Sequence, residues 1–110
     1  MPLFNPSTSV TVNPPTSANV TRTTIAPPVA ADLANAVVLV PANSARKGLS
    51  LTNYSTGTVY VEYGAPPTAT QNVIPLAPGG YFEVPYGITT QIQGLWSATG
   101  GTGVNVREAT

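Results

Sequence analysis

The chain reads as an all-β protein, a small β-sandwich or barrel of about seven short strands with an extended N-terminal arm. Three observations predict this. Valine, threonine and tyrosine are abundant where lysine and glutamate are scarce, which favours strands over helices. Apolar and polar residues alternate over short runs, the period of a half-buried strand. Ten glycines and twelve prolines separate these runs at the short, regular spacing of a sandwich or barrel.

Residues 1–31 are the expected arm. Eighteen of these 31 residues are Ser, Thr, Asn or Pro, and six of the twelve prolines lie here. Proline fixes φ and biases its predecessor toward extended backbone, so helix is excluded over any length. Two pieces suit edge or partner-paired strands. In residues 9–12, Val10 and Val12 share a face; in residues 20–25, Val20 and Ile25 fall on opposite faces. The arm holds too little apolar surface to order itself and reads either as a tail or as a segment that orders on a partner. At about 3.3 Å per residue it reaches roughly 100 Å. Phe4, Val10, Val12, Val20, Arg22 and Ile25 are its candidate partner contacts.

Residues 32–110 are the expected β domain. The apolar run 36–40 suits a strand buried on both faces. Residues 47–54 alternate, with Leu49, Leu51 and Asn53 on one side. Residues 58–64 alternate again, with Val59, Val61 and Tyr63 against Tyr60 and Glu62. The short loop between these two runs, with its Gly57, predicts a hairpin. Residues 72–76 form a short strand that Pro75 marks as an edge. After the turn 77–80, Phe82, Val84 and Tyr86 alternate with Tyr81 and Glu83. Residues 89–98 place Ile92, Gly94 and Trp96 together, and residues 99–103 read as a glycine turn. Val104, Val106 and Glu108 share a face of the last strand. The one weak helical segment is 30–36, with Asp32 as its N-cap.

Little here supports chemistry. The chain has no histidine and no cysteine, and only eight charged side chains: Arg22, Asp32, Arg46, Lys47, Glu62, Glu83, Arg107 and Glu108. The usual proton shuttle and the usual strong nucleophile are missing. A binding or building role is expected rather than an enzyme, with no cofactor and no metal. Zero net charge gives no footprint for nucleic acid or an anionic membrane. The run 36–40 is too short to span a bilayer, and the start lacks the pattern of a signal peptide.

Each candidate site competes with a plainer reading. Glu62 and Glu83 are conceivable as a glycosidase pair but sit at solvent-facing positions. Arg46 and Lys47 suit an anionic partner or a solubilising edge. Residues 100–103 lack the Lys-Ser/Thr of a phosphate loop. The tyrosines and Trp96 suit a sugar platform, but a small all-β domain needs them in its core or subunit interface; Tyr54, Tyr60, Tyr81 and Trp96 are assigned there. Asn19 and Asn53 open glycosylation patterns that read as chance matches. A core of this size supplies roughly 3–5 kcal/mol, and disulfide and zinc staples are missing, so oligomerisation is expected. Scarce surface charge points the same way.

From Ala45 onward the chain resembles a small structural protein of tailed bacteriophages, including those of cyanobacteria. The residues that carry the likeness are Arg46-Lys47-Gly48-Leu49-Ser50-Leu51-Thr52-Asn53-Tyr54-Ser55, Val59-Tyr60-Val61 and Leu76-Ala77-Pro78-Gly79-Gly80-Tyr81-Phe82-Glu83-Val84-Pro85. Ile92-Gln93-Gly94-Leu95-Trp96-Ser97-Ala98 and Val104-Asn105-Val106-Arg107-Glu108 complete it. The resemblance covers roughly the last 65 residues and not the arm. It implies a head decoration, or cement, protein: a β domain, typically trimeric, made in the host cytoplasm and seated on the outer capsid surface against the major capsid protein. Extended arms tie neighbours together, and there are no catalytic residues to carry over. A tail, head-fibre or adsorption module of the virion, and a carbohydrate-binding β domain, are the alternatives.

Overall fold

The computed structural model describes residues 19–110, and the candidate contacts Phe4, Val10 and Val12 lie outside them. Among the described residues the chain forms eight strands. They are β1 (Val20–Ile25), β2 (Val37–Val40), β3 (Gly48–Ser55), β4 (Val59–Tyr63), β5 (Ile74–Leu76), β6 (Tyr81–Val84), β7 (Ile92–Trp96) and β8 (Gly101–Ala109). Two four-stranded sheets result, β1-β8-β3-β6 (sheet A) and β2-β7-β4-β5 (sheet B). All neighbours are antiparallel. This order is that of an eight-stranded jelly roll, in which two Greek keys wind into a sandwich.

The core follows from the alternation. Leu49, Leu51, Val84, Val104 and Val106 point inward from sheet A; Leu39, Val59, Val61, Leu76, Ile92 and Trp96 meet them from sheet B. Gly94 lies among these residues because a Cβ there would come within 2.9 Å of Leu39 Cδ1 and 3.0 Å of Val59 Cγ1. Pro75 occupies an edge strand, as expected, since β5 pairs only with β4.

Several expectations change. Residues 20–25 are not part of a free arm: Val20–Ile25 pairs with β8 over its whole length, and Asn19 exchanges backbone hydrogen bonds with Thr110. The β domain therefore takes in residues the sequence reading gave to the arm. The run 36–40 is not buried on both faces, because β2 is an edge strand with Val38 exposed. β3 and β4 are not a hairpin; they lie in opposite sheets, and their connection arches across the sandwich. Gly101 and Gly103 belong to β8, where their positive φ (83° and 118°) accompanies a register shift against β3. A Cβ at Gly103 would run into the Ile25 carbonyl. The helical segment shrinks to one 3₁₀ turn, Ala30–Asp32, with Val29 rather than Asp32 as its N-cap.

Candidate functional site

Among the described residues two polar clusters are buried, and both hold the fold. Asn53 is fully buried at the arch between β3 and β4. Its Nδ2 donates to the carbonyls of Gly57 (2.9 Å) and Leu76 (2.8 Å), and its Oδ1 accepts from the Ser55 amide at 2.9 Å. The Ser55 hydroxyl also meets Asn53 Oδ1, and it accepts the Trp96 indole N–H at 3.0 Å. Asn53 opens a glycosylation pattern, but its burial removes it as an acceptor.

The second cluster surrounds Arg46, which is neither an anion site nor a solubilising edge. Its Nε donates to Glu108 Oε2 at 2.7 Å. Nη1 donates to the Ile88 and Thr90 carbonyls and Nη2 to the Pro41 carbonyl. One side chain thus ties the 41–46 loop, the 88–90 loop and β8. Lys47 beside it is exposed.

What remains for function is surface, and two features stand out. The first is the outer face of sheet A. Register places Thr24, Asn105, Thr52 and Tyr81 in one cross-strand row and Arg22, Arg107, Ser50 and Glu83 in the next. Tyr54 and Tyr81 stand 55% and 60% exposed on this face. The second is a gap beside β2. The inward side of β1 carries Thr21 and Thr23, both exposed, and the half-buried Ile25. Among the described residues sheet B offers no strand opposite them. A cavity of about 420 Å³ occupies the place, lined by these residues together with Val38, Leu39 and Val106.

The assigned residues divide accordingly. Trp96 is in the core, 2% exposed. Tyr54 and Tyr81 are not in the subunit core; both are on the outer face of sheet A. Tyr60 is half-buried on the outer face of sheet B, in register with Pro75 and Leu95. Val20 and Arg22 share the outer face of β1, while Ile25 lines the gap. Glu62 and Glu83 lie on outer faces of opposite sheets, so these two cannot flank one bond. Tyr63 is held above its ordinary pKa of 10.0, first by burial and then by the neighbouring Glu62 charge. Among the described residues, no three His, Cys, Asp or Glu gather as metal ligands. Sequence reasoning missed the Arg22–Arg107 juxtaposition; no local pattern signals it, because the two residues meet only through β1–β8 pairing.

No family profile, curated protein or solved structure matches the chain.

Proposed function

We propose that the chain is a structural subunit of a virus particle, a capsid decoration protein without catalytic activity. It binds the major capsid protein on the outer shell, associates as a homotrimer, and ties neighbours through its N-terminal segment. The observation that carries this reading is the strand-sized gap beside β2. A free sheet edge facing an uncovered apolar surface is a template for strand addition, in which main-chain hydrogen bonds give affinity and alternate side chains fill pockets. Residues 9–12, Ser-Val-Thr-Val, have the alternation such a strand needs. Scarce surface charge and the resemblance to phage head proteins support the same role. Jelly rolls build viral capsid and lectin domains alike, an analogy of fold that leaves function to the surfaces.

The test uses particles lacking the protein, to which purified chain is added back. Full-length chain should bind and raise the temperature at which the shell breaks. Deleting residues 1–18 should leave a folded domain that binds at least about tenfold more weakly, the strand's main-chain bonds being lost. Val38→Lys, which charges the free edge, should do the same without lowering the thermal midpoint. Undiminished binding by both variants would overturn the strand-addition mechanism. No binding by the full chain would overturn the capsid role itself.

A further inference from the structure

The outer face of sheet A carries an arrangement that the decoration role does not use. Arg22 and Arg107 stand directly opposite each other across β1 and β8, and both are exposed. Like charges at facing strand positions destabilise a sheet, yet a chain with four cations places two of them here. Neither is neutralised internally. The one salt bridge among the described residues is Arg46–Glu108, and residues 1–18 contain no acidic side chain. Glu83 is in the same row but two strands from Arg107, with Ser50 between; at about 4.8 Å per strand that is roughly 10 Å.

The surroundings have the chemistry of a sugar site. Three shallow hollows of about 220, 270 and 220 Å³ cross this face, and Arg107 lines all three. Thr24 Oγ1 donates to Asn105 Oδ1 at 3.0 Å, which fixes the amide and leaves Asn105 Nδ2 as a donor for a ligand. Ser50 and Thr52 add hydroxyls that both donate and accept. Tyr54 and Tyr81 offer exposed rings, against which the C–H face of a sugar packs. All these side chains stand on strands, so little ordering is required on binding. A protein partner would seek an apolar centre; the centre of this face is Arg107 and Asn105 among hydroxyls.

We infer that this face binds an acidic glycan. The guanidinium groups of Arg22 and Arg107 take a sugar carboxylate or sulfate, by the paired N–H geometry that suits planar anions. Tyr54 and Tyr81 seat the adjoining rings. The site is separate from the gap beside β2 and does not depend on the virion role. On a particle, it would give the decorated surface an affinity for anionic polysaccharide coats.

Titration calorimetry of the full chain tests this with four probes: oligogalacturonate as the carboxylate, a sulfated heparin oligosaccharide, neutral cello-oligosaccharide, and poly-glutamate. One or both acidic glycans should bind, the neutral one at least about tenfold more weakly, as loss of a charge-assisted contact implies. Arg107→Gln should weaken the acidic glycan about tenfold or more while leaving the thermal midpoint unchanged or raised, since it relieves the like-charge pair. Tyr81→Ala should weaken binding as well. Glu62→Gln, on the opposite sheet, should bind as the parent does. Absence of binding to both acidic glycans, or undiminished binding by the Arg22→Gln/Arg107→Gln double variant, would overturn the proposal. Equal or tighter binding of poly-glutamate would replace the glycan by an acidic protein partner.

Discussion

The arch between β3 and β4 is set by one side chain, and Asn53→Leu tests this. Leucine is close to asparagine in shape but makes no hydrogen bond. The change strands the Leu76 carbonyl and the Ser55 amide, now bonded to Asn53 at 2.8 and 2.9 Å, while the Gly57 carbonyl keeps the Ser55 hydroxyl as a donor at 3.2 Å. Each buried group left without a partner costs about 1–3 kcal/mol, together about 2–6 kcal/mol. Burying the leucine side chain returns about 1–2 kcal/mol. The net loss is about 1–4 kcal/mol, a large share of the roughly 3–5 kcal/mol that a core of this size supplies. Urea unfolding followed by Trp96 fluorescence suits the measurement, because the indole N–H is bonded to Ser55 of the same cluster. With a slope of about 1–1.5 kcal/mol per molar urea, the midpoint should fall by roughly 2 M. Asn53→Asp should be worse, because it removes both donors and sets a carboxylate against two carbonyls. A leucine variant that unfolds at the parent's midpoint would show that the arch is held by other forces.

Trp96→Ala empties the arch end of sheet B's inner face and should cost about 3–5 kcal/mol, read as a lower thermal midpoint or loss of soluble protein. Arg46→Met removes one partner of a buried ion pair and should cost about 3–5 kcal/mol, whereas Arg46→Met/Glu108→Leu should regain much of the loss; a double-mutant cycle measures the coupling. Tyr63 should make the fold sensitive to alkali. Its raised pKa means the folded state favours the neutral phenol, so the contribution is complete below pH 10 and is lost as pH rises through the folded value. Thermal midpoints taken from pH 8 to 12 should fall more steeply for the parent than for Tyr63→Phe; equal slopes would count against it.

Much of this fold is written in short-range pattern. The alternation in β3, β4 and β6 is a direct record of which residues face the core, and Pro75 announces its edge through the hydrogen bond it cannot make. The errors arise where distant partners decide. Residues 55–57 have the composition of a hairpin turn, but an arch and a hairpin differ in what Asn53 bonds, and one of its partners is Leu76. The 36–40 run is as apolar as a central strand because Leu39 and Val40 are core residues and Val38 borders the gap between β1 and β2. Arg46 beside Lys47 looks like a surface pair until folding brings Glu108 and the carbonyls of Pro41, Ile88 and Thr90 around its guanidinium. Trp96 was legible as a core residue from its strand position. Tyr54 and Tyr81 were not legible as exposed, because aromatic strand residues serve cores and binding faces equally.

Association in solution bears on the same reading: light scattering should give three times the chain mass of 11.3 kDa, and a stable monomer would remove the trimer. As a proposed decoration subunit the chain should be repeated over a virus shell, and its number of copies per particle measures that repetition. Particles purified from the source that encodes the chain would be analysed by quantitative mass spectrometry against a labelled standard and the major capsid protein. A decoration subunit occupies every equivalent site of a symmetric shell, so on the order of hundreds of copies in fixed ratio to the capsid protein are expected. About a dozen copies or fewer would place the chain in a tail or portal, and none would remove it from the particle; either result rules out the decoration role.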